Sequence, residues 1–539
     1  MAAHRLAVII KNPLNEDEFL LVRQNRPPKF RDDEYDSYVD SDLWDLPWAS
    51  LTPLDREDSQ SKFVVEGAES CSDKLNLMKF NVDSALDQIF SQLGFRGPTG
   101  GHWALWKYVE EADFGPAPQL NTVFILGKLT SEAENGKGVS KWMSIPSCLE
   151  FLLEVNPNND RVGPLVGVGL LTNLVHSRML NVPSPLRYQE YPPGITIVPI
   201  ESRTAKPFRT TNLVVVAPDI VSSSRVDASF SAYGDALIMD PGCHSKFHAE
   251  LMEIVAALPR KLVVFVTHHH HDHVDGLSII QKCNPDATLL AHENTMRRIG
   301  KGDWSLAYTS ISGGEEICIG GERLKTIFAP GHTDGHMALL HVSTHSLIVG
   351  DHCVGQGSAV LDFTNGGNMK EYFQTTYNFL ELSPHAIIPM HGRVNLWPKH
   401  MLCGYLKNRR NRESSILKTI ESGAETLFDI VAKTYADVDP SVWFAASSNV
   451  RLHVDHLAVQ DKLPMGFSLE KFNSSCFAFA AKGFSIQKFQ RTFGLHFLSR
   501  WTWACLRSNL MPKDQIHRTI TLHTATAVVG FAVFYAVKH

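Results

Sequence analysis

Apolar and polar positions come in alternating blocks along this chain, and the blocks predict its elements. MAAHRLAVIIK, FLLVRQNRPP and NTVFILGKL read as strands around a polar segment at residues 31–42. Their β-branched and aromatic side chains suit a pleated, half-buried surface, and polar breaks bound each run. Residues 181–194, NVPSPLRYQEYPPG, hold four prolines and a glycine and read as a linker. From residue 195 to 398, runs of strand length alternate with helical stretches, the pattern of an α/β layered domain. Residues 399–468 read as helices with short polar breaks, and the remainder to residue 539 is aromatic and basic before an apolar end. The chain shows no internal repeat.

Composition narrows the picture. At 539 residues the chain exceeds what one core can bury, so about three domains are expected. A hydrophobic content of 44% with 20% charged residues makes most of it globular. The net charge of −6 argues against bulk electrostatic attachment to nucleic acid and leaves room for a local basic face. Nine cysteines are scattered without a CxxC pair, which fits reduced thiols in an intracellular protein. The opening MAAHRLAVIIKNP has no long apolar core before a cleavage site, so no secretory signal is expected. Twenty-five histidines, however, ask for a metal.

Five of those histidines fall in eleven residues, VTHHHHDHVDG at 266–276. The preceding LVVFVT reads as a buried strand, so the histidines begin where a strand ends, a common place for an α/β fold to mount chemistry. Counting back from the DH pair gives H-x-H-x-D-H at His268, His270, Asp272 and His273. Neutral imidazoles and a carboxylate suit zinc or another first-row divalent ion. Further candidates follow apolar strands downstream: His332 in APGHTDGHMALL, Asp351 in SLIVGDHCVGQG and His391 in AIIPMHGRV. His269 and His271 fall outside the pattern and read as supporting or solvated residues. His336 and His352 flank ligand positions and carry only a minor expectation of touching metal or substrate.

The ordered set THxHxDH, GHT, a strand ending in GD and a strand ending in HG resembles the metallo-β-lactamase superfamily over about residues 195–400. LIMDPG fits the strand before the signature. The resemblance implies an αββα sandwich and two zinc ions. His268, His270 and His332 would hold one, Asp272, His273 and His391 the other, with Asp351 bridging and Asp240 supporting the ligands from behind. A water shared by two cations supplies hydroxide near neutral pH, so a metal-dependent hydrolase is implied, with Asp272 essential.

GHTDGHMALLHVSTHSLIVGDHCVGQGSAVLDF further resembles the β-lactamase-like protein 2 group, which includes a single-strand endoribonuclease. CGYLKNRRNRESSIL resembles that group's HRxxRExxI helix, with Asn408 in place of its histidine, and VWFAASSNVRLHVDHLAVQDKL resembles its closing helices. Residues 399–468 would then form a small winged-helix-like domain. Arg409, Arg410 and Arg412 are expected to meet substrate phosphates as charge-assisted donors; from the residues alone a solvated helix face ranks first. Attack on a phosphodiester of single-stranded RNA is one expected activity. Hydrolysis of a small ester or thioester, as in glyoxalase II relatives, is the alternative, and a membrane-tethered binding protein is the non-enzymatic one.

The ends carry weaker signals. LAVII, FLLVRQNRPP and LWDLPWASL resemble the opening of a Nudix domain, an α+β fold spanning residues 1–180 here. Trp48 and Ala49 replace its glycines. In DQIFSQLGF only Ile89, Gly94 and Phe95 keep the pattern, while Gln88, Ser91 and Gln92 stand where magnesium-binding glutamates belong, so this domain is expected to be catalytically silent. Residues 520–537, ITLHTATAVVGFAVFYAV, carry no formal charge. They read either as a C-terminal membrane anchor, close to the ~20 residues a bilayer span needs, or as a docked terminal helix. An anchor would leave the enzyme on the cytosolic face of a membrane. FQRTFGLHFLSRWTWACLR before it mixes aromatics with arginines as an interfacial helix does.

Overall fold

A computed structural model describes residues 2–54, 65–66, 75–94, 101–129, 139–171, 182–218, 230–476 and 500–501. The described chain falls into two compact units. One comprises Met1–Ala329, Gly335–Ser358 and Thr376–Cys403; the other takes Pro330–Asp334, Ala359–Thr375 and the described chain from Gly404 onward.

The first unit begins with a nine-stranded mixed sheet. Ala3–Lys11 lies at its centre, parallel to Leu120–Leu129 and antiparallel to Glu18–Arg23 and Trp48–Leu51. Its residues 6–10 are buried on both faces, which is why this stretch is apolar without alternation. Leu6, Val8 and Ile10 face the helix Val82–Gln92, whereas Ala7 and Ile9 pack on the opposite face with residues of helix Ile145–Leu153. The helix Val82–Gln92 buries Val82, Ala85, Leu86, Ile89 and Phe90, one stripe at helical spacing, and the Asn81 side chain accepts from Ser84 N to cap it.

The α/β layers follow. A seven-stranded sheet runs Gln189–Glu190, Thr196–Glu201, Thr210–Val216, Ala236–Met239, Leu262–Phe265, Thr288–Ala291, Tyr308–Ser310. A six-stranded sheet runs Ala232–Gly234, Glu316–Ile319, Glu322–Phe328, Met337–His341, Ser346–Ile348, Ala386–Ile388. Strand periodicity explains the layering. Leu237, Met239, Val263 and Phe265 point inward and share a core with Ile317, Leu324, Leu339 and Ile348 of the second sheet. Their alternates Ile238 and Val264 face outward onto helices His248–Ala257 and Leu277–Cys283 through Leu251, Ile254 and Ile280. One expectation is revised here: within the proline-rich stretch read as a linker, Gln189–Glu190 adds an edge strand to the seven-stranded sheet. Prolines flank that pair, the position an edge strand tolerates.

The second unit is helical at its centre. Leu427–Thr434, Trp443–Val459 and Leu469–Ser475 pack with the C-terminal half of Pro398–Glu421 around Ile416, Ile430, Val450, Val454 and Phe472. Thr426 caps the first of these helices, accepting from Asp429 N. Among the described residues no helix is long and apolar enough to cross a membrane; residues 520–537 lie outside the described residues.

Candidate metal centre

The histidine-rich loop is shaped by one buried carboxylate. Asp240 ends strand Ala236–Met239 with φ 49°, a left-handed backbone that aspartate tolerates better than most residues. Its Oδ1 accepts from Thr267 N at 2.8 Å, and its Oδ2 accepts from Thr267 Oγ1 at 2.6 Å and from His273 Nδ1 at 2.8 Å. Gly242, two residues on, is required by proximity, because a Cβ there would stand 1.8 Å from the carbonyl oxygen of Asp272. The DPG turn and the histidine loop are therefore one packed structure.

The candidate ligands come together at the strand ends. His268, His270, His332 and Asp351 form one group that could hold a metal ion, and Asp272, His273, Asp351 and His391 form another. In each group the candidate ligand atoms lie within 4.8 Å of one another. The Asp351 carboxylate belongs to both. Its Oδ1 is 3.3 Å from His391 Nε2, and its Oδ2 is 3.5 Å from His273 Nε2. Asp272 Oδ2 lies 3.4 Å from His391 Nε2 and 3.8 Å from His273 Nε2.

The donor chemistry fits a cation. Three rings are anchored through their outer nitrogens: His268 Nδ1 at Thr267 Oγ1 (3.0 Å), His273 Nδ1 at Asp240 and His391 Nδ1 at Thr210 O (2.8 Å). Such anchoring fixes the tautomer and leaves Nε2 a lone pair. His268 Nε2 then faces His270 Nδ1 at 2.9 Å, two nitrogens converging on one point. His273 Nε2 and Asp351 Oδ1 are buried yet make no hydrogen bond, an arrangement that costs free energy unless something else meets them. The electrostatics agree. Burial opposes a charge on His391, but Asp351 and Asp272 outweigh it and lift its pKa to about 10. Burial likewise opposes the charged Asp351, and His391 and His273 hold it well below the usual carboxylate range. The pocket demands positive charge, which a divalent cation supplies.

Other histidines have structural work. His336 Nδ1 donates to Ala329 O at 3.1 Å, and its Nε2 accepts from Asp351 N at 3.1 Å, so it holds the loop that presents Asp351. His352 Nε2 bonds Thr376 Oγ1 at 2.9 Å, and His271 Nδ1 bonds Asp275 at 3.1 Å. Sequence reasoning missed Thr267, Thr210 and Gly242; the DPG motif was the available signal for the last.

The family comparisons agree with this geometry. Residues 219–391 match the Metallo-beta-lactamase superfamily, and residues 426–463 match the Beta-lactamase associated winged helix domain. The chain carries a metallo-beta-lactamase domain. Its superfamily is one of hydrolases, and a winged-helix domain follows it. The Beta-lactamase-like protein 2 homolog of Drosophila melanogaster is 27% identical over 221 residues, 39% of this chain and 72% of that one. Its Caenorhabditis elegans counterpart is 29% identical over 190 residues, 35% of this chain and 62% of the other. The Hydroxyacylglutathione hydrolase of Gloeobacter violaceus is 29% identical over 169 residues, 31% and 58% of the two chains.

The arginines beyond the metallo-beta-lactamase domain require a correction. Arg409 does not offer its guanidinium to a phosphate: it is 3% exposed, its Nη2 donates to Ala359 O at 2.6 Å, and it lies 4.9 Å from the Tyr372 ring. Arg412 is half-buried, stacks 4.0 Å over Tyr435 and donates to Thr434 O at 3.1 Å. Arg410 is exposed, over Phe373. The spacing explains it. Leu402, Leu406, Arg409, Glu413, Ile416 and Ile420 repeat every three or four residues, so Arg409 and Glu413 lie on the helix's apolar stripe.

Gln88, Ser91 and Gln92 are exposed on helix Val82–Gln92 and line an open surface with Asp83 and Asp87.

Proposed function

We propose that this protein is a dinuclear zinc hydrolase acting on phosphodiesters of single-stranded RNA. The observation that carries the metal reading is the anchoring of three imidazoles through their outer nitrogens, with the inner ones of His273 and His391 directed at the Asp351 carboxylate and that of His268 at His270. In this reading His268, His270, His332 and Asp351 would hold one ion, and Asp272, His273, His391 and Asp351 the other. Divalent cations held there would lower the pKa of a water toward neutrality and polarise the oxygen of the scissile bond. The chain's own residues do the rest. Asp240 and Thr210 keep His273 and His391 in the metal-binding tautomer, and His336 holds Asp351 in place. Exclusion of water by the buried rings strengthens every charge interaction at the centre.

The RNA reading is supported by the likeness to the two beta-lactamase-like protein 2 homologues and by the winged-helix match. It no longer rests on an arginine row, since Arg410 is the solvent-facing member of the three. Thioester hydrolysis is supported by the likeness to a hydroxyacylglutathione hydrolase. Zinc-loaded full-length protein, assayed against single-stranded RNA and S-lactoylglutathione, decides between them. RNA cleavage abolished by Asp272→Ala is the expected result; thioester turnover without RNA cleavage would replace the RNA reading and leave the metal centre standing.

A further inference from the structure

A cavity of about 590 Å³ lies in the first unit, lined by none of the candidate metal-binding residues. Its floor is the face of the nine-stranded sheet that carries Arg5, Thr122 and Phe124, opposite the face covered by helix Val82–Gln92. The segments 107–112, 164–168, 188–193 and 393–396 add to its lining, Glu110, Glu111 and Glu190 among them. The volume falls within the roughly 300–1,000 Å³ of small-molecule sites. Leu120, Phe124, Leu165, Val168, Tyr191 and Leu396 give it an apolar lining.

The cations around it have close polar partners, Arg5 the fewest. Arg393 grips Glu111 through two bonds, Nε to Oε1 at 2.6 Å and Nη2 to Oε2 at 2.7 Å. Arg187 Nη2 pairs with Glu110 at 2.9 Å. Lys107 Nζ donates to Val168 O at 3.1 Å and has Glu190 nearby. Arg5 differs. Among the described residues its one hydrogen bond runs from Nε to Thr122 Oγ1 at 2.8 Å, and Trp48 lies 5.7 Å from its guanidinium carbon. The bond to Thr122 fixes the side chain; Asp45 and Glu111 act on it at longer range, and its terminal Nη donors make no hydrogen bond among the described residues. A planar guanidinium with two parallel donors beside an apolar wall matches a carboxylate or phosphate attached to an apolar body.

We propose that this cavity binds a small organic anion with an apolar body, its charged group held by Arg5. No metal ligand contributes to the lining, so the site is separate from the hydrolytic one. The apolar lining selects the body of the ligand, and the Arg5 guanidinium, whose Nη donors make no hydrogen bond among the described residues, selects its charge.

The test uses purified full-length protein and two fluorescent probes, anionic 8-anilinonaphthalene-1-sulfonate and neutral N-phenyl-1-naphthylamine. The anionic probe should bind saturably and about tenfold or more tighter than the neutral one, as one charge-assisted hydrogen-bonded pair implies. Arg5→Met should remove that preference and Arg5→Lys should retain most of it, with unchanged thermal melting showing that both variants fold. Leu120→Trp, which fills the cavity and leaves Arg5 in place, should abolish binding of both probes even if Arg5→Met proves unstable. Displacement by octanoate would identify a carboxylate ligand and displacement by 1-naphthyl phosphate a phosphate monoester. The proposal is overturned if the wild-type protein shows no preference for the anion, if neither competitor displaces the probe, or if Leu120→Trp binds as well as wild type. Loss of binding in Asp272→Ala would also overturn it, by placing the probe at the metal centre.

Discussion

Two clusters of buried imidazoles and carboxylates stand in this molecule, built from the same residue types and doing different things. At the strand ends, His273 and His391 are held from behind by Asp240 and Thr210, and their inner nitrogens stop 3.3–3.8 Å from Asp351 and Asp272 without a hydrogen bond closing the gap to Asp351 Oδ1. In the helical unit, Glu413 Oε2 takes the Nδ1 protons of both His453 (3.2 Å) and His456 (2.7 Å). In the second cluster the carboxylate is satisfied by its own neighbours, though His453 Nε2 is buried without a hydrogen bond, and it ties helix Pro398–Glu421 to helix Trp443–Val459. The first is open at its centre. What distinguishes a candidate metal site from a polar clasp is thus where the remaining ring nitrogens converge: those of His273 and His391 meet around Asp351 and Asp272, and Glu413 draws in only the Nδ1 atoms of its two rings.

The comparison can be broken most forcefully at Asp272. Asp272→Ala removes a ligand that no neighbour replaces, and hydrolysis should fall by about a thousandfold or more, as loss of several kcal/mol of metal-centred stabilisation implies. Elemental analysis should find the metal content reduced alongside; full metal content with full activity in this variant would sink the ligand assignment.

A subtler change tests the support behind the ring. Asp240→Asn can no longer accept freely from both Thr267 and His273, so metal affinity should drop about 10–100-fold, read by competition with a chromophoric chelator. Unaltered affinity would mean that His273 needs no such anchor.

The cluster in the helical unit should answer in stability and not in activity. Glu413→Gln should cost about 1–3 kcal/mol in denaturant unfolding, since it weakens two buried bonds, with hydrolysis of a saturating substrate unchanged. The pH dependence has a definite sign. Burial opposes the charged Glu413, but His453 and His456 hold its pKa down at about 2, below the ordinary 4.5. Its contribution is complete above 4.5 and is lost as pH falls toward 2. Burial lowers His453 to about 4, so this ring too favours unfolding as pH drops from 6.5 to 4. Melting temperature against pH should therefore decline from 6.5 downward, and Glu413→Gln should flatten the part below 4.5. A variant with the wild-type slope there would remove Glu413 from the explanation.

The smallest effect is expected at Arg410. Its side chain is exposed, and Arg410→Ala should shift stability by no more than about 0.5 kcal/mol. A large loss of RNA cleavage on this substitution alone would restore a substrate role to the helix.

Most of the metal centre was legible because its ligands lie in short segments just beyond apolar strands, so local sequence carries both the strand and the donor. His268, His270, Asp272 and His273 needed no long-range information to be singled out, and His332, Asp351 and His391 each followed the same strand-then-donor pattern. The arginine helix was misread for the opposite reason. RRNR shows its charge plainly, but whether a guanidinium meets solvent or a carbonyl depends on the stripe it occupies, and Arg409 shares its stripe with Leu406 and Ile416. Counting that period would have placed it inward.

The sequence by itself determined the layered α/β domain, the helical domain after it and the donor set, because hydrophobic periodicity and donor type are local properties. Tertiary structure alone decided which ring nitrogen is anchored, that Asp351 faces two groups at once, and that Arg5 is held in a cavity by Thr122 alone among hydrogen-bond partners in the described residues while Arg393 is clamped to a glutamate 282 residues away. Those are relations between distant segments, and they exist only once burial has removed water as the competing partner for each donor and acceptor.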